Sequence, residues 1–440
     1  MSLIAYLKNY RPYGAWALGV IAVAICSVKA AEAPKMLFSG AGWMQYGVIA
    51  KSSDTTGGKD LNGRSLIGTG AQFSLTVNPS ERLRIEAGLG AAMGHSLAGT
   101  PRRQGGYAPV GTGPYVSNAN FQYSLWNEER AKLSFRGGLF PYDYNPDAQN
   151  LGLYLLRGPV YPGYVLSGFE TKYVLPVANT LGFQVHHQTG GLEQDLLFTF
   201  ETQFYPYWDM SPAYVANYNF GKVFRIGAGV NFYHLVPIDS KLTTDTTNVF
   251  IDTVPAVDDT INISFKGTKV MANGSLDVKA LVGGMDMLGP EDLKIYSEIA
   301  LLGLDNGAKY KRLFGNYSNR MPVMVGMNLP AFKLLDRLSL EVEYYSAKFV
   351  DDLTGYNTYG APSPYPIGKL DTNYSADNIK WSLYASKVVQ NHIKISMQAA
   401  SDHFRPGVFK GYGDNNPPSM EAVLFKPSEW YWNMKVAYFF

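Results

Sequence analysis

The chain has 440 residues, with 38 Lys and Arg against 36 Asp and Glu, 45 Gly and only 17% charged side chains. Aromatics reach 14%, with 31 Tyr and 23 Phe, which excludes intrinsic disorder. A mean hydropathy of −0.11 with a single near-spanning apolar run excludes a helical membrane bundle, and the lack of a basic patch or RNA-binding fingerprint gives nucleic acid no support as a partner.

Residues 1–30 read as a secretory signal peptide. Lys8 and Arg11 give a positive start, and residues 15–27 form an apolar run of h-region length. Val28-Lys29-Ala30 has the small-x-Ala form of a cleavage site, with Ala31-Glu32-Ala33 as a second choice. A transmembrane anchor is the alternative, but the run is short for a span of about 20 residues. Lys8, Arg11 and Lys29 leave with the leader, so 38 bases fall to 35 against 36 acids and the mature charge is about −1. Cys26, the sole cysteine, leaves too, and Ile25 before it is too large for a lipoprotein cleavage site. The exported chain 31–440 therefore carries no disulfide and no thiol chemistry.

Along the mature chain an alternation of period two recurs. Ala71, Phe73, Leu75 and Val77 oppose Gln72, Ser74, Thr76 and Asn78. Leu83, Ile85, Ala87 and Leu89 oppose Arg84, Glu86, Gly88 and Gly90. Leu133, Phe135 and Leu139 oppose Lys132, Ser134 and Arg136. Phe224, Ile226, Ala228, Val230 and Phe232 oppose Arg225, Gly227, Gly229 and Asn231. Leu338, Leu340, Val342 and Tyr344 oppose Ser339, Glu341 and Glu343, and Ile393, Ile395, Met397 and Ala399 oppose Lys394, Ser396 and Gln398.

A soluble antiparallel sheet alternates as well. Segments of about ten residues, the length a tilted strand needs to cross a bilayer, favour a membrane barrel. So do links that alternate between short (79–82, 221–222, 289–292, 390–392) and long (52–65, 95–113, 237–260, 305–320, 351–377, 404–428). Aromatic residues near segment ends suit an interfacial girdle.

The last segment is the most specific. Counting back by twos, Phe440, Tyr438, Val436, Met434, Trp432 and Trp430 share one face, and Lys435, Asn433 and Tyr431 the other. This resembles the carboxy-terminal strand of bacterial outer-membrane β-barrels, which ends in an aromatic residue and is read by the barrel-insertion machinery. Lys435 stands where the family pattern has Gly. The whole mature chain resembles a porin-like outer-membrane barrel. The expected fold is all-β, a transmembrane antiparallel up-and-down β-barrel of about 16 strands, with 14 and 18 as alternatives, short periplasmic turns and long extracellular loops. About seventeen segments are countable, and an even number is required, so 164–175 and 181–188 are read together as one bent strand or as one strand plus part of a loop. A barrel of this size leaves an aqueous lumen.

Residues 140–163 form the third long loop, with a short helix expected over 147–156. In porins the third loop folds inward and narrows the barrel. By that resemblance Tyr142, Asp143, Asp147 and Arg157 are candidate constriction residues. The alternative is a loop packed on the rim or on a neighbouring subunit. The polar faces should line the lumen with Arg84, Arg136, Arg225, Lys294, Lys380 and Lys394 and with Glu86, Glu298, Glu341 and Glu343. Mixed signs imply no strong ion preference. Tyr296, Tyr345, Tyr384 and Tyr431 point inward, where they either stack on sugars or brace the wall.

His186 and His187 are adjacent on a strand, point to opposite faces and cannot share a metal. No HExxH, nucleophile elbow or phosphate loop is present, so no catalytic residue, metal or cofactor is expected. The expected function is passive diffusion of small polar solutes across the outer membrane of a Gram-negative-type bacterium. A homotrimer is compatible with the apolar flank, and outer-membrane lipid is the expected surrounding. The alternative is a non-conducting structural or adhesive barrel whose external loops, such as 361–368, bind a surface partner.

Overall fold

The computed structural model describes residues 35–53, 61–94, 113–128, 131–157, 179–201, 208–239, 244–248, 260–264, 266–281, 283, 286–304, 317–346, 378–403, 424 and 426–440. The strands of the first half are β1 (Lys35–Lys51), β2 (Ser65–Asn78), β3 (Leu83–Gly94), β4 (Gly113–Asn127), β5 (Ala131–Pro141), β6 (Asn179–Thr189), β7 (Leu192–Phe200), β8 (Met210–Phe220) and β9 (Phe224–Tyr233). Those of the second half are β10 (Thr244–Asn248), β11 (Thr260–Ser264), β12 (Gly267–Asp277), β13 (Lys294–Leu301), β14 (Val323–Asn328), β15 (Arg337–Tyr344), β16 (Ile379–Val389), β17 (Ile393–Ser401) and β18 (Trp430–Phe439).

Sixteen of them close into one antiparallel barrel in which each strand pairs with its sequence neighbours, β9 passing directly to β12. The seam joins β1 to β18, from Ala41 opposite Phe439 to Lys51 opposite Trp430. Closure leaves no exposed sheet edge, the only way a sheet can cross a bilayer. The even count matches the expected sixteen strands. Residues 181–188 lie within β6, and 164–175 lie outside the described residues, as does the leader 1–30.

The period-two faces separate as the sequence requires. On β18, Met434, Val436 and Tyr438 are 39–52% exposed, while Tyr431, Asn433 and Lys435 are at most 3% exposed. The same holds around the barrel, where Phe73, Leu89, Ile226, Val325 and Met397 lie on the outer face. A soluble protein would not expose so continuous an apolar surface, whereas a lipid-facing wall must. Aromatics gather at the rim of the short links. Phe38, Phe73 and Phe440 sit 5.9–6.1 Å apart, and Phe220 lies 4.6 Å from Tyr218 and 5.7 Å from Phe224.

Two features depart from a plain run of strands and links. The first is at β12, which ends at Asp277 and is followed by one helical turn, α1 (Val278–Leu281). Asp277 Oδ1 accepts the Ala280 N–H at 3.0 Å, a side-chain cap that ends the extended backbone. The second is β10 and β11, a ribbon separate from the barrel, within a stretch expected to be plain loop.

The turn between β14 and β15 is held by Asp336. Its carboxylate accepts the Val388 N–H at 2.6 Å and the Lys387 ammonium at 3.0 Å. Burial alone would raise its pKa, but these partners outweigh burial and hold it below the ordinary Asp value. A lowered folded-state pKa contributes stability above the unfolded-state pKa and loses it as pH falls through the folded-state value. Asp336→Asn is therefore expected to lower the melting temperature at neutral pH, with the deficit vanishing in acid below the Asp range. Thermal melts of both proteins in detergent across pH check this. A deficit that persists unchanged in strong acid would contradict it.

Candidate functional site

The site is built where the segment after β5 meets the inner wall. Gly138 on β5 has φ +118°, and a Cβ there would sit 2.2 Å from the Ala119 carbonyl oxygen. Only glycine tolerates that backbone this close to a neighbouring strand. The chain then runs through Phe140, Tyr142, Tyr144, Ala148, Leu151, Leu153, Tyr154 and Leu155, all buried at 5% exposure or less. These pack as one cluster with Leu197, Val215, Met271, Tyr296 and Met324, residues on the non-lipid faces of β7, β8, β12, β13 and β14. The apolar residues of the segment find their burial there rather than in a helix.

The expected helix over 147–156 reduces to one 3₁₀ turn, Tyr154–Leu156. Leu153 before it is left-handed at φ 59° and Gly152 at φ 84°. Freed from helical pairing, the backbone N–H groups turn to carboxylates on the wall. Glu341 on β15 accepts the N–H groups of Gln149, Asn150 and Leu151 at 2.5, 2.9 and 2.8 Å, and the Tyr296 hydroxyl at 3.0 Å. Glu298 on β13 accepts Leu153 and Tyr154 N–H at 3.0 and 2.7 Å, Tyr144 hydroxyl at 2.8 Å and Asn145 Nδ2 at 2.8 Å. Two buried carboxylates thus exchange their hydration for amide and hydroxyl donors. Glu343 takes the Tyr154 hydroxyl at 2.9 Å and faces His403 Nε2 at 2.6 Å. Asp402 accepts Asn150 Nδ2 at 2.5 Å and Tyr431 hydroxyl at 3.0 Å.

Gly152 is tightly placed against this anchor. A Cβ there would meet Met324 Cε at 2.7 Å and Glu298 Oε2 at 3.2 Å. Gly152→Ala combines this clash with a positive φ, so a cost of about 1–3 kcal/mol to loop docking is expected. Hydrogen exchange of the 149–154 amides checks this. They should exchange at least about fivefold faster in the variant, and unchanged protection would contradict it.

The candidate constriction residues separate into distinct environments. Tyr142 donates to Asp195 Oδ2 at 3.1 Å, and Asp195 also meets Gln184 and His186 at 2.8 Å. Asp143 is exposed and accepts the Asn145 N–H at 2.9 Å. Asp147 lies 3.5 Å from Lys294. Arg157 is buried, bonding the carbonyls of Asn150 and Gly152, and its own carbonyl takes the Lys269 ammonium. Arg157 therefore braces the segment it belongs to.

The ten expected lumen residues all lie on the non-lipid face, but they divide. Glu298, Glu341, Glu343 and Lys380 are at most 3% exposed, covered by other parts of the chain. Arg84, paired with Glu86, keeps a 56% exposed side chain. Arg136 bonds Gln122 at 3.1 Å and stacks 5.4 Å over Phe140. Arg225 reaches the Tyr144 carbonyl at 3.2 Å and Glu193 at 3.8 Å, and Lys294 bridges Asp147 and Glu291. Lys394 lies 5.9 Å over the Tyr384 ring. Of the four inward tyrosines, Tyr296 and Tyr431 donate to wall carboxylates and Tyr345 is 2% exposed. Tyr384 lines a cavity beside the loop.

Sequence reasoning missed Tyr144, Asn145, Asp195, Lys269, Asp402 and His403. Asp195 and Lys269 lie on the polar face of their strands, and extending the alternation to β7 and β12 would have found them. Tyr144 and Asn145 sit in a loop without periodicity, which carries no such signal.

A closed sixteen-strand antiparallel barrel with an apolar outer face and a polar inner one defines a porin-like transmembrane barrel. No protein-family model and no curated protein matches the chain. Solved structures of porin variants from Rhodopseudomonas blastica align with 92% of this chain and 100% of theirs, at 9–11% identity and TM-scores of 0.44–0.45. Likeness that distant bears neither on solute nor on mechanism.

Proposed function

We propose that the protein is a passive outer-membrane channel for small polar solutes, with residues 140–157 as its constriction; 158–163 of the expected loop lie outside the described residues. The observation that carries this is the anchoring of 149–154 to Glu298 and Glu341, on the inner faces of β13 and β15. A loop fastened by buried carboxylates to the far wall is a fixed obstacle in a wide barrel, the arrangement that sieves by size rather than by affinity. Asp143 borders the narrowed passage, Tyr142 and Asp147 fix the loop to the wall through Asp195 and Lys294, and Arg157 holds its shape. Arg84, Glu86, Arg136, Arg225, Lys294 and Lys394 give the passage mixed charge. Glu298, Glu341, Glu343 and Lys380 act beneath the surface. The leader 1–30 directs export, and Trp432, Met434, Val436, Tyr438 and Phe440 present the insertion strand to the barrel-insertion machinery. Outer-membrane lipid surrounds the flank, which also suits a homotrimer.

Swelling of proteoliposomes in isotonic solutes of rising size tests the sieve. Entry rates should fall steeply with solute size, and vesicles with and without protein behaving alike would refute it.

A second reading has one observation of its own. Leu61 and Leu424, from the segments after β1 and before β18, pack inward on Ile49, Leu66, Ala400 and Tyr431. Ser53 Oγ–Glu429 and Lys380–Leu424 contacts fasten the same corner. This cover suits a barrel whose outer loops bind a surface partner and conduct nothing.

A further inference from the structure

One stretch of the lipid-facing wall is polar. β6 and β7 are joined through Gly190 and Gly191, and His187 stands opposite Gln194 in their ladder. The alternation puts both on the outer face. His187 shares its face with exposed Phe183, and Gln194 with exposed Leu196, while Gln184 and His186 meet Asp195 on the inner side. Tyr214 of β8, also exposed, completes the group. Its hydroxyl donates to Gln194 Oε1 at 2.5 Å, and Gln194 Nε2 lies 3.1 Å from His187 Nδ1. The neighbouring outer positions are Leu133, Val185, Leu192, Leu196, Ala216 and Tyr218. Polar side chains on such a face are costly unless something answers them.

The direction of these bonds decides what remains. An amide nitrogen only donates, so His187 Nδ1 accepts and the ring proton sits on Nε2. That N–H and the second N–H of the Gln194 amide donate to no atom of the described residues. Two neighbouring donors are thus left on a surface that faces lipid. His187 lies three residues from Gly190, so at a rise of about 3.4 Å and a tilt of about 40° it stands roughly 8 Å above the turn. Tyr218, opposite Leu192, is one outer step nearer the rim, with Phe220 and Phe224 beyond it as the aromatic girdle. The donors therefore lie just inside the girdle, where the phosphodiester of a lipid meets its acyl chains. We propose that this group is a glycerophospholipid site, in which His187 and Gln194 donate to the two non-bridging phosphate oxygens and the chains lie along Val185, Leu196, Phe183 and Phe198. A phosphodiester offers acceptors only, two of them on one phosphorus, which matches two adjacent donors. Acyl chains alone answer neither donor. A second copy meeting this patch through a two-fold axis would set donors against donors. No Lys or Arg belongs to the group, so the rest of the headgroup should matter little. Such a site requires only a lipid-facing wall and stands whether or not the barrel conducts.

Native mass spectrometry of the detergent-solubilised full barrel, titrated with dimyristoylphosphatidylglycerol, tests this, with dimyristoylglycerol as the phosphate-free match. The barrel should retain the phospholipid and release dimyristoylglycerol, and dimyristoylphosphatidylethanolamine should be retained as well as the glycerol headgroup. His187→Leu/Gln194→Leu should weaken retention at least about tenfold. Tyr214→Phe, which removes the bond that orients the amide, should weaken it less. The unheated gel shift would first show that each variant keeps the barrel, which leucine at a lipid-facing position favours. Equal retention of dimyristoylglycerol, or a folded double variant that holds phosphatidylglycerol as the native barrel does, would overturn the proposal and leave these side chains as a brace within the wall. Loss of oligomer mass in the double variant with lipid retention unchanged would overturn it in favour of a second copy.

Discussion

Replacing Glu298 and Glu341 together with alanine is expected to undock residues 142–157 while leaving the barrel closed. Each carboxylate serves four donors, three of them backbone N–H groups at Glu341 and two at Glu298. Truncation strands these donors against an apolar cluster, at about 1–3 kcal/mol for each one left unsatisfied. The effects are not additive, because the segment can move to reach water. Movement is the expected outcome, since one carboxylate's donors together exceed what the loop's apolar packing can hold. The wall does not depend on the anchors. Its ladders run between strand backbones, from Val270 opposite Leu301 on β12 and β13 to Val323 opposite Tyr344 on β14 and β15. Trypsin reads the change. Arg157, 3% exposed and bound to loop carbonyls, should resist cleavage in the native protein and be cut in the double variant. Mass spectrometry locates that cut among others. Equal resistance at Arg157 in both proteins would show that the anchors do not hold the loop. Glu298→Gln and Glu341→Gln should have smaller effects, because the amide retains one acceptor while turning an N–H toward other donors.

The second large effect is expected at the terminal residue. Phe440 donates its N–H to the Gly40 carbonyl at 3.2 Å, and its carbonyl accepts the Gly40 N–H at 3.1 Å. Its ring lies over Gly40, where a Cβ would come within 2.5 Å of Cζ, and packs with Phe38 and Phe73. Deleting Phe440 therefore opens the end of the β1–β18 seam. Unpaired backbone groups at a lipid-facing edge cost several kcal/mol each. Folded yield from urea into detergent, scored by migration on an unheated gel, should drop at least about tenfold. Phe440→Leu keeps the backbone pair and should lose less. Equal yields for the native and shortened chains would remove the seam from the account.

The strands were legible because a bilayer imposes the same condition on each one, an apolar residue at every second position. β18 shows this most plainly, with Met434, Val436 and Tyr438 outside and Tyr431, Asn433 and Lys435 inside. Lys435, the departure from the resembled terminal pattern, faces inward and lies 5.4 Å over the Trp43 ring. A position that reads as an exception in sequence is thus an inner-wall cation with an aromatic platform.

What lay on the inner wall was legible only as a face. Period two tells which side a glutamate points to, not what covers it. Glu86 and Glu298 look alike in sequence, yet Glu86 pairs with exposed Arg84 and Glu298 is 1% exposed beneath a loop. The covering depends on a segment with no periodicity, set by a left-handed Leu153, a glycine at 152 and donors that seek carboxylates over a hundred residues away. Such contacts have no local signature. The helix expected over 147–156 failed for that reason, since wall carboxylates took the N–H groups a helix would have used.

Conduction through the barrel is read by single-channel recording of residues 31–440 in a planar bilayer. Stable stepwise openings are expected, with larger steps from the Glu298→Ala/Glu341→Ala protein than from the native one. A protein that migrates as a folded barrel yet never opens, with or without the anchors, would contradict it.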